Sequence, residues 1–378
     1  MIVAENHAKH LLEQYGLRAP PGAVAHSAEE AAAVARRLGD PCVVKALVPA
    51  GGRGKAGGVK ACSSVDQAYD AARSLLGRDL LGHVVSEVLV EKAVSPVHEI
   101  YAGVVANAAT CTIDLIVSFA GGVDVERASR ADESAVWRMM VEPGDVLPVH
   151  RVRRWLKQAD VNGLDLAGLA SVLVALYRAA ADLDATLLEV NPLALTHDGS
   201  LVVLDCKLEV DDSGLARHPE LSQLYHELLS DREKRAKELG VSFVPLDGEI
   251  AVITSGAGLG MATMDMLRLA GLSPANFLDT GGGVSEAQVK GALELVMAPP
   301  QVKAAIVNLY GGINRMLEAA KGIVAALENI EGDRPIVVKI LGNQQEEAWA
   351  TLDGLPNIHV IQVVQTETAV EKLAQMVG

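Results

Sequence analysis

Apolar residues along this chain recur at two spacings, and the balance between them shifts from the first half to the second. Ala8, Leu11, Leu12 and Tyr15 repeat at helical spacing and stop at Gly16, which predicts a first helix over 4–15. Ser27-Ala-Glu-Glu30 opens a second helix with a capping-box pattern. A β-rich run, CVVKALV, follows Pro41, and 58–62 reads as a short strand before Ser63-Ser-Val-Asp66 caps another helix. Strands are expected over 88–91, 99–105 and 111–119, with Gly121-Gly122 breaking the pattern, then helices over 152–159 and 164–183. A hairpin comes next: 186–192 outward, a turn at His197-Asp-Gly199, and 201–207 returning, so that Asn191 ends one strand and Asp205 its partner. The charge-rich stretch 219–240 reads as a helical connector between domains.

Beyond residue 249 the texture becomes regular. Short apolar strands at 249–254, 276–279, 304–310, 336–341 and 358–362 alternate with helices. Five such strands imply a parallel sheet covered on both faces, with ligands taken at the carboxyl ends of its strands. Three of these ends are glycine-rich: Ser255-Gly-Ala-Gly258, Gly281-Gly-Gly283 and Gly311-Gly312-Ile313-Asn314. The first and last are expected to present backbone N–H groups at a helix start, where carboxylates and phosphates bind, although βα turns need glycine for packing alone. The fold class is therefore α/β.

Composition narrows the field. Half of the 378 residues are hydrophobic but only 3 % are aromatic, so Ala, Val and Leu supply the cores of two or three domains. The formal charge of −15 argues against a nucleic-acid surface. No apolar run reaches membrane length, and MIVAENHAKHLL has no basic region before an apolar block, which points to a cytoplasmic protein with no membrane partner. Cys42, Cys62, Cys111 and Cys206 are scattered, without a C-x-x-C pair, so neither a zinc site nor a disulfide framework is expected.

Against that acidic background, VVKALVPAGGRGKAGGVK at 43–60 is a reversal. No acid lies between Asp40 and Asp66, while Lys45, Arg53, Lys55 and Lys60 do. Glycines that admit close backbone approach, next to Lys and Arg, make a cradle for polyphosphate; a solvated turn has the same composition. Gly52-Arg53-Gly54-Lys-Ala-Gly57 satisfies G-x-G-x-x-G, yet it joins strand to strand where the fingerprint must open a helix, so a dinucleotide fingerprint is rejected here. A Walker A sequence is absent too. Asn191 and Asp205 offer an amide and a carboxylate oxygen with room for water and phosphate, the Mg2+ pattern, or else local turn capping. Glu189 projects from the same strand face as Asn191. Glu91 and Glu99 are either acceptors for ribose hydroxyls or surface acids.

These segments together with LLEVNPLALTHDG, LVVLDCKL, SGAGLGMATMDMLRLAGLSPANFLDTGGG and VKAAIVNLYGGINR resemble the β subunit of succinyl-CoA synthetase and relatives such as malate–CoA ligase, nearly end to end from Glu5 and Ala8-Lys9. The resemblance implies an ATP-grasp region over 1–238, with an inserted lid-type subdomain, and a flavodoxin-like CoA-ligase domain over 245–378. It further implies that Lys45 and Gly52-Arg53-Gly54 hold nucleotide phosphates and that Glu91, Val94 and Glu99 line the base and ribose pocket. Asn191 and Asp205 would bind Mg2+, and Glu189 would face a phosphorylated histidine. Ser255 would contact the organic acid and Gly312, Ile313 and Asn314 its carboxylate, their helix aiming its positive end at that histidine.

In the family the histidine belongs to an α subunit, in a Gly-His-Ala-Gly loop. No such loop occurs here, so the expected active form is a heterodimer or α2β2 heterotetramer whose α subunit also carries most of the CoA site. ATP, with GTP as the alternative, and CoA are the implied substrates; Pro20 sides with ADP-forming members. Departures bear on the acid. The family's usual Asn before Gly-Ala-Gly is Ser255 here, its Gln-Val-His is Leu47-Val48-Pro49, and its Asp-Asn-Ala-Leu-Phe-Arg is Asp212-Ser-Gly-Leu-Ala-Arg217. A ligase for another dicarboxylic acid and a non-catalytic nucleotide-binding paralogue are the alternatives. A dinucleotide-dependent oxidoreductase built on the turn at 253–260 is disfavoured by Met261 where a small residue is needed.

Overall fold

Strict alternation of side chains in the strands decides what each face of this molecule does. The computed structural model describes residues 1–119, 136–159 and 164–377, so Gly121-Gly122 lie outside the described residues. The chain divides into two compact units, Met1–Tyr225 and His226–Gly378.

The first unit contains β1 (Ile2–Val3), β2 (Gly22–Ala25), β3 (Cys42–Ala46), β4 (Val59–Cys62), a small hairpin of β5 (Asp79–Leu80) and β6 (His83–Val84), and β7 (Val88–Lys92). It continues with β8 (His98–Asn107), β9 (Thr112–Ser118), β10 (Val136–Val141), β11 (Ala185–Leu195), β12 (Leu201–Val203) and β13 (Cys206–Val210). One antiparallel sheet runs β2-β7-β3-β4. Val44, Ala46, Val88 and Val90 point to its covered face and pack on Ala31, Ala35, Ala68, Ala72 and Leu75 of the helices Ala28–Leu38 and Val65–Leu75. Ser27 and Ser64 cap those helices by accepting from the amides of Glu30 and Gln67, as their sequences foretold. Val43, Lys45 and Glu91 are left on the opposite face.

A larger antiparallel sheet runs β1-β13-β11-β8-β9-β10, with β12 attached to β11. Ile100, Ala102, Val104, Leu115, Val117, Leu188, Val190 and Leu208 form a core with the helices Val149–Leu156 and Leu166–Asp182. Their sequence neighbours Tyr101, Ile116, Glu189, Asn191 and Lys207 occupy the other face. The strand expected to return unbroken over 201–207 is two strands. Pro192 has no N–H to give the ladder, its register slips between Val190 and Leu193, and the returning chain parts at Leu204-Asp205. Asn191 and Asp205 therefore face each other across paired interruptions, instead of ending their strands; the Asn191 amide donates to the Asp205 carbonyl at 3.2 Å.

In the second unit, β14 (Ser242–Pro245), β15 (Ile250–Thr254), β16 (Asn276–Asp279), β17 (Ala304–Arg315), β18 (Ile336–Asn343) and β19 (Ile358–Val360) form one sheet in the order β14-β16-β15-β17-β18-β19. The five expected strands are parallel, and from β15 to β19 they follow the flavodoxin-like order, with the switch point between β15 and β17. The sequence reading omitted β14, a short antiparallel edge strand paired with β16. One face packs on the helices Glu286–Met297 and Met316–Leu327, the other on Ala257–Leu269 and Thr366–Val377. One expectation changes here. Gly312, Ile313 and Asn314 do not open a helix: β17 runs on to Arg315 because β18 also extends, pairing Gly311 with Gly342 and Arg315 with Asn343, and the helix starts only at Met316.

Candidate functional site

The uncovered faces of the two sheets of the first unit enclose a cavity of about 690 Å3, a size suited to a nucleotide-scale ligand. Lys45, Gly52, Arg53, Gly54, Glu91, Val94, Glu189, Asn191 and Asp205 all line it, as does Pro20. Glu99 does not; it is exposed on β8. The basic loop connects β3 to β4 as expected. Gly52 turns it with φ of +81°, a conformation that side chains resist, with nothing within 4 Å of where a Cβ would stand.

Charge is concentrated on the cavity floor. Lys45, 7 % exposed, pairs with Glu5 and Glu91 at 2.8 Å each and donates to the Leu204 carbonyl at 2.5 Å. Arg53 bridges Glu5 and Asp205, 2.7 Å from each, and donates to the Ala46 carbonyl at 3.2 Å. Lys9 contacts Glu5 at 2.7 Å and Glu91 at 2.6 Å. Three cations thus meet three acids.

Burial alone would raise the Glu5 carboxyl, but Lys45, Lys9 and Arg53 outweigh it and hold the group well below the usual carboxylate range. Burial would likewise lower Lys45, and Glu5, Glu91 and Asp205 drive it above its ordinary value instead. Asp205 goes the other way. Its crowded place and the neighbouring Glu5 carboxylate push it up to about 6 against Arg53, Lys45 and Lys9, although 41 % of its side chain still meets the cavity.

Glu189 stands opposite Lys207 and Gly103 in the ladder, and burial together with its carboxylate pushes the Tyr101 hydroxyl up to about 12. Among the described residues no cluster of three His, Cys, Asp or Glu side chains can hold a metal. The donor set fits Mg2+ nonetheless: that ion takes one or two carboxylates and completes its shell with waters and phosphate oxygens. Asn191 and Asp205 face each other across the ladder break at the cavity wall.

At the switch point of the second unit, the Ser255 hydroxyl accepts from the Tyr310 amide at 2.9 Å and donates to the Tyr310 carbonyl at 3.1 Å. Asp279 accepts from the amides of Gly256 and Gly281 at 2.5 and 2.8 Å. Gly312 and Ile313 are exposed, whereas Asn314 is buried and its Oδ1 accepts from the amides of Gly283 and Val284 at 2.6 and 3.4 Å. Asn314 therefore braces the Gly281-Gly-Gly283 turn. The Gly256 turn does start a helix, at Ala257.

Sequence reasoning passed over Glu5 and Lys9 as site residues. Their signal was present: two opposite charges at i and i+4 on the same helical face as Ala8 and Leu12, where only a buried ion pair makes sense. Lys207 was passed over as well.

Two sheets enclosing a phosphate-suited cavity, followed by a flavodoxin-like unit, define a nucleotide-dependent CoA ligase of ATP-grasp type, and family models agree. Residues 2–195 match the ATP-grasp domain and 253–374 the CoA-ligase domain. The chain is 40 % identical to the β subunit of a GDP-forming succinate–CoA ligase from Thermus thermophilus, over 100 % of this chain and 99 % of that one. It is also 40 % identical to an ADP-forming counterpart from Chloroflexus aurantiacus, over 93 % of each. This chain belongs to the succinate–CoA ligase β-subunit family of acid–thiol ligases. Among solved structures it resembles ATP citrate lyase from Methanothrix soehngenii in complex with citrate and coenzyme A, with a TM-score of 0.79 and 19 % identity over 99 % of both chains, a likeness of fold. No helix among the described residues is long and apolar enough to cross a membrane.

Proposed function

We propose that the chain is the nucleotide-binding β subunit of an ADP-forming carboxylate–CoA ligase, with ATP taken in the first unit's cavity and the acid at the second unit's switch point. The carrying observation is the buried cluster of Lys9, Lys45, Arg53, Glu5, Glu91 and Asp205 on the floor of a nucleotide-sized cavity. Buried cations held this tightly are prepositioned for phosphate, and incoming phosphate charge replaces part of what their acids supply. Gly52 and Gly54 bring backbone amides to the same ligand, while Glu91 and Val94 face the nucleoside. Asn191 and Asp205 would hold Mg2+, which would supply positive charge to offset that of the phosphates. Arg53 engages only one carboxylate oxygen of Asp205, which leaves the other for the metal.

The phosphoryl group would pass to a histidine of a partner α subunit, with Glu189 beside it, and that subunit would supply most of the CoA site. CoA and ATP, or GTP in place of ATP, are the substrates of this reading. Ser255 supports an acid other than succinate. Its hydroxyl is committed to the Tyr310 backbone, so the acid would meet chiefly the backbone amides at Gly312 to Asn314.

The test pairs the chain with the α subunit of its own source and follows phosphorylation of that subunit by ATP–Mg, then thioester formation across a panel of dicarboxylic acids. Lys45→Ala should cut phosphorylation by at least about tenfold, the value of one charge-assisted phosphate contact. An unchanged rate in that variant would show the assignment to be wrong.

A further inference from the structure

The cavity wall holds further cations besides those of the floor, and Lys207 is the one across from Glu189. Lys207 lies on β13 two residues after Asp205, opposite Glu189 in the β11–β13 ladder, and it lines the cavity. Its side chain crosses to the basic loop: a Cβ added to Gly51 would stand 3.7 Å from its Cε, 3.8 Å from its Cδ and 3.9 Å from its Nζ. Lys207 thus reaches the start of the glycine loop, while Arg53 within that loop is bound to Asp205. Unlike Lys45 and Arg53, it is not sunk in the floor. Its side chain is 35 % exposed and pairs at 2.6 Å with Glu209, itself 31 % exposed. A half-exposed pair of this kind exchanges partners at little cost.

We propose that Lys207 contacts the terminal phosphate of the bound nucleoside triphosphate, positioning it between the glycine loop and Glu189. This rests on the nucleotide reading of the cavity and adds to it a residue for the phosphoryl group that moves. Lys45 and Arg53 are fixed by buried acids and serve every phosphate on the floor. Lys207 approaches from the opposite sheet, on the side where Glu189 stands. A terminal-phosphate contact has a signature that a general structural role lacks: it distinguishes the triphosphate from the diphosphate.

The test measures calorimetric affinities of the full-length chain for ATP–Mg and ADP–Mg in wild type, Lys207→Met and Lys207→Arg. The expected result is an ATP affinity about tenfold weaker in Lys207→Met, with ADP changed by less than about twofold and ATP binding largely restored by Lys207→Arg. Equal weakening of both nucleotides, or weakening of neither, overturns the proposal while leaving the nucleotide site in place. A wild-type chain that binds neither nucleotide overturns the cavity reading and this proposal with it.

Discussion

Replacing Glu5 with Gln removes one negative charge from the centre of the buried cluster and almost nothing from its volume. The Glu5 side chain is 1 % exposed and lies within 2.8 Å of each of Lys9, Lys45 and Arg53. Wild type balances those three cations with Glu5, Glu91 and Asp205, so the variant leaves a net +1 among side chains that, Asp205 apart, are at most 9 % exposed. Removing one partner of a buried ion pair typically costs about 3–5 kcal/mol, because the remaining charge stays desolvated. For a unit of 225 residues, at about 2–4 °C per kcal/mol, the transition should fall by about 6–20 °C in scanning calorimetry.

Two further readouts separate this account from simple loss of packing. Glu5 titrates below its reference value of 4.5, so its stabilisation is fully present above pH 4.5 and is lost as pH falls through the folded value. The gap between wild type and variant should therefore narrow on acidification. An anionic ligand should also restore more of the missing charge in the variant, so ATP–Mg should raise its melting temperature by more than it raises that of wild type. A loss below about 1 kcal/mol, or a gap that does not depend on pH, would refute the reasoning.

Other outcomes follow from single contacts. Asn314→Ala strips the acceptor from the buried amides of Gly283 and Val284 and should cost about 1–3 kcal/mol in denaturant unfolding of the second unit, with nucleotide affinity in the first unit unchanged. The cysteines should react in a fixed order. Cys111 is exposed, whereas Cys62 is buried and its thiol is pushed up to about 11 by burial and by Cys42, so mass spectrometry after brief alkylation at pH 8 should find Cys111 modified and Cys62 intact. The raised Cys62 value makes its contribution to stability full below pH 9 and lost as pH rises through about 11; Cys62→Ala should flatten that alkaline limb in thermal melts.

Much of the second unit was legible beforehand because its parallel strands are short apolar runs, three of them ending in glycine-rich turns, a pattern that local spacing alone can carry. The misses there share one cause. β14 is an edge strand whose pairing with β16 leaves little trace in its own four residues, and β17 outruns its apolar segment because β18 extends beside it. In the first unit, the basic loop, Asn191 and Asp205 stood out by chemistry. The break that sets Asn191 against Asp205 was half visible in Pro192, but the parting at Leu204-Asp205 appears only once β11 is paired.

The sequence alone determined the local quantities: helix caps, strand periodicity, the acid-free glycine segment, and residue types suited to phosphate and Mg2+. These depend on neighbours within a few positions, so the order of residues contains them. Which charges neutralise which was decided only by the tertiary structure. Glu5, Arg53, Glu91 and Asp205 are far apart in the chain, and their pairing follows from how two sheets turn their uncovered faces to one cavity. Coulomb energies in a desolvated site depend on distances of a few ångströms. Only folding sets those distances, and so only the fold makes Glu5 a strong acid, Asp205 a weak one and Lys207 a neighbour of the glycine loop.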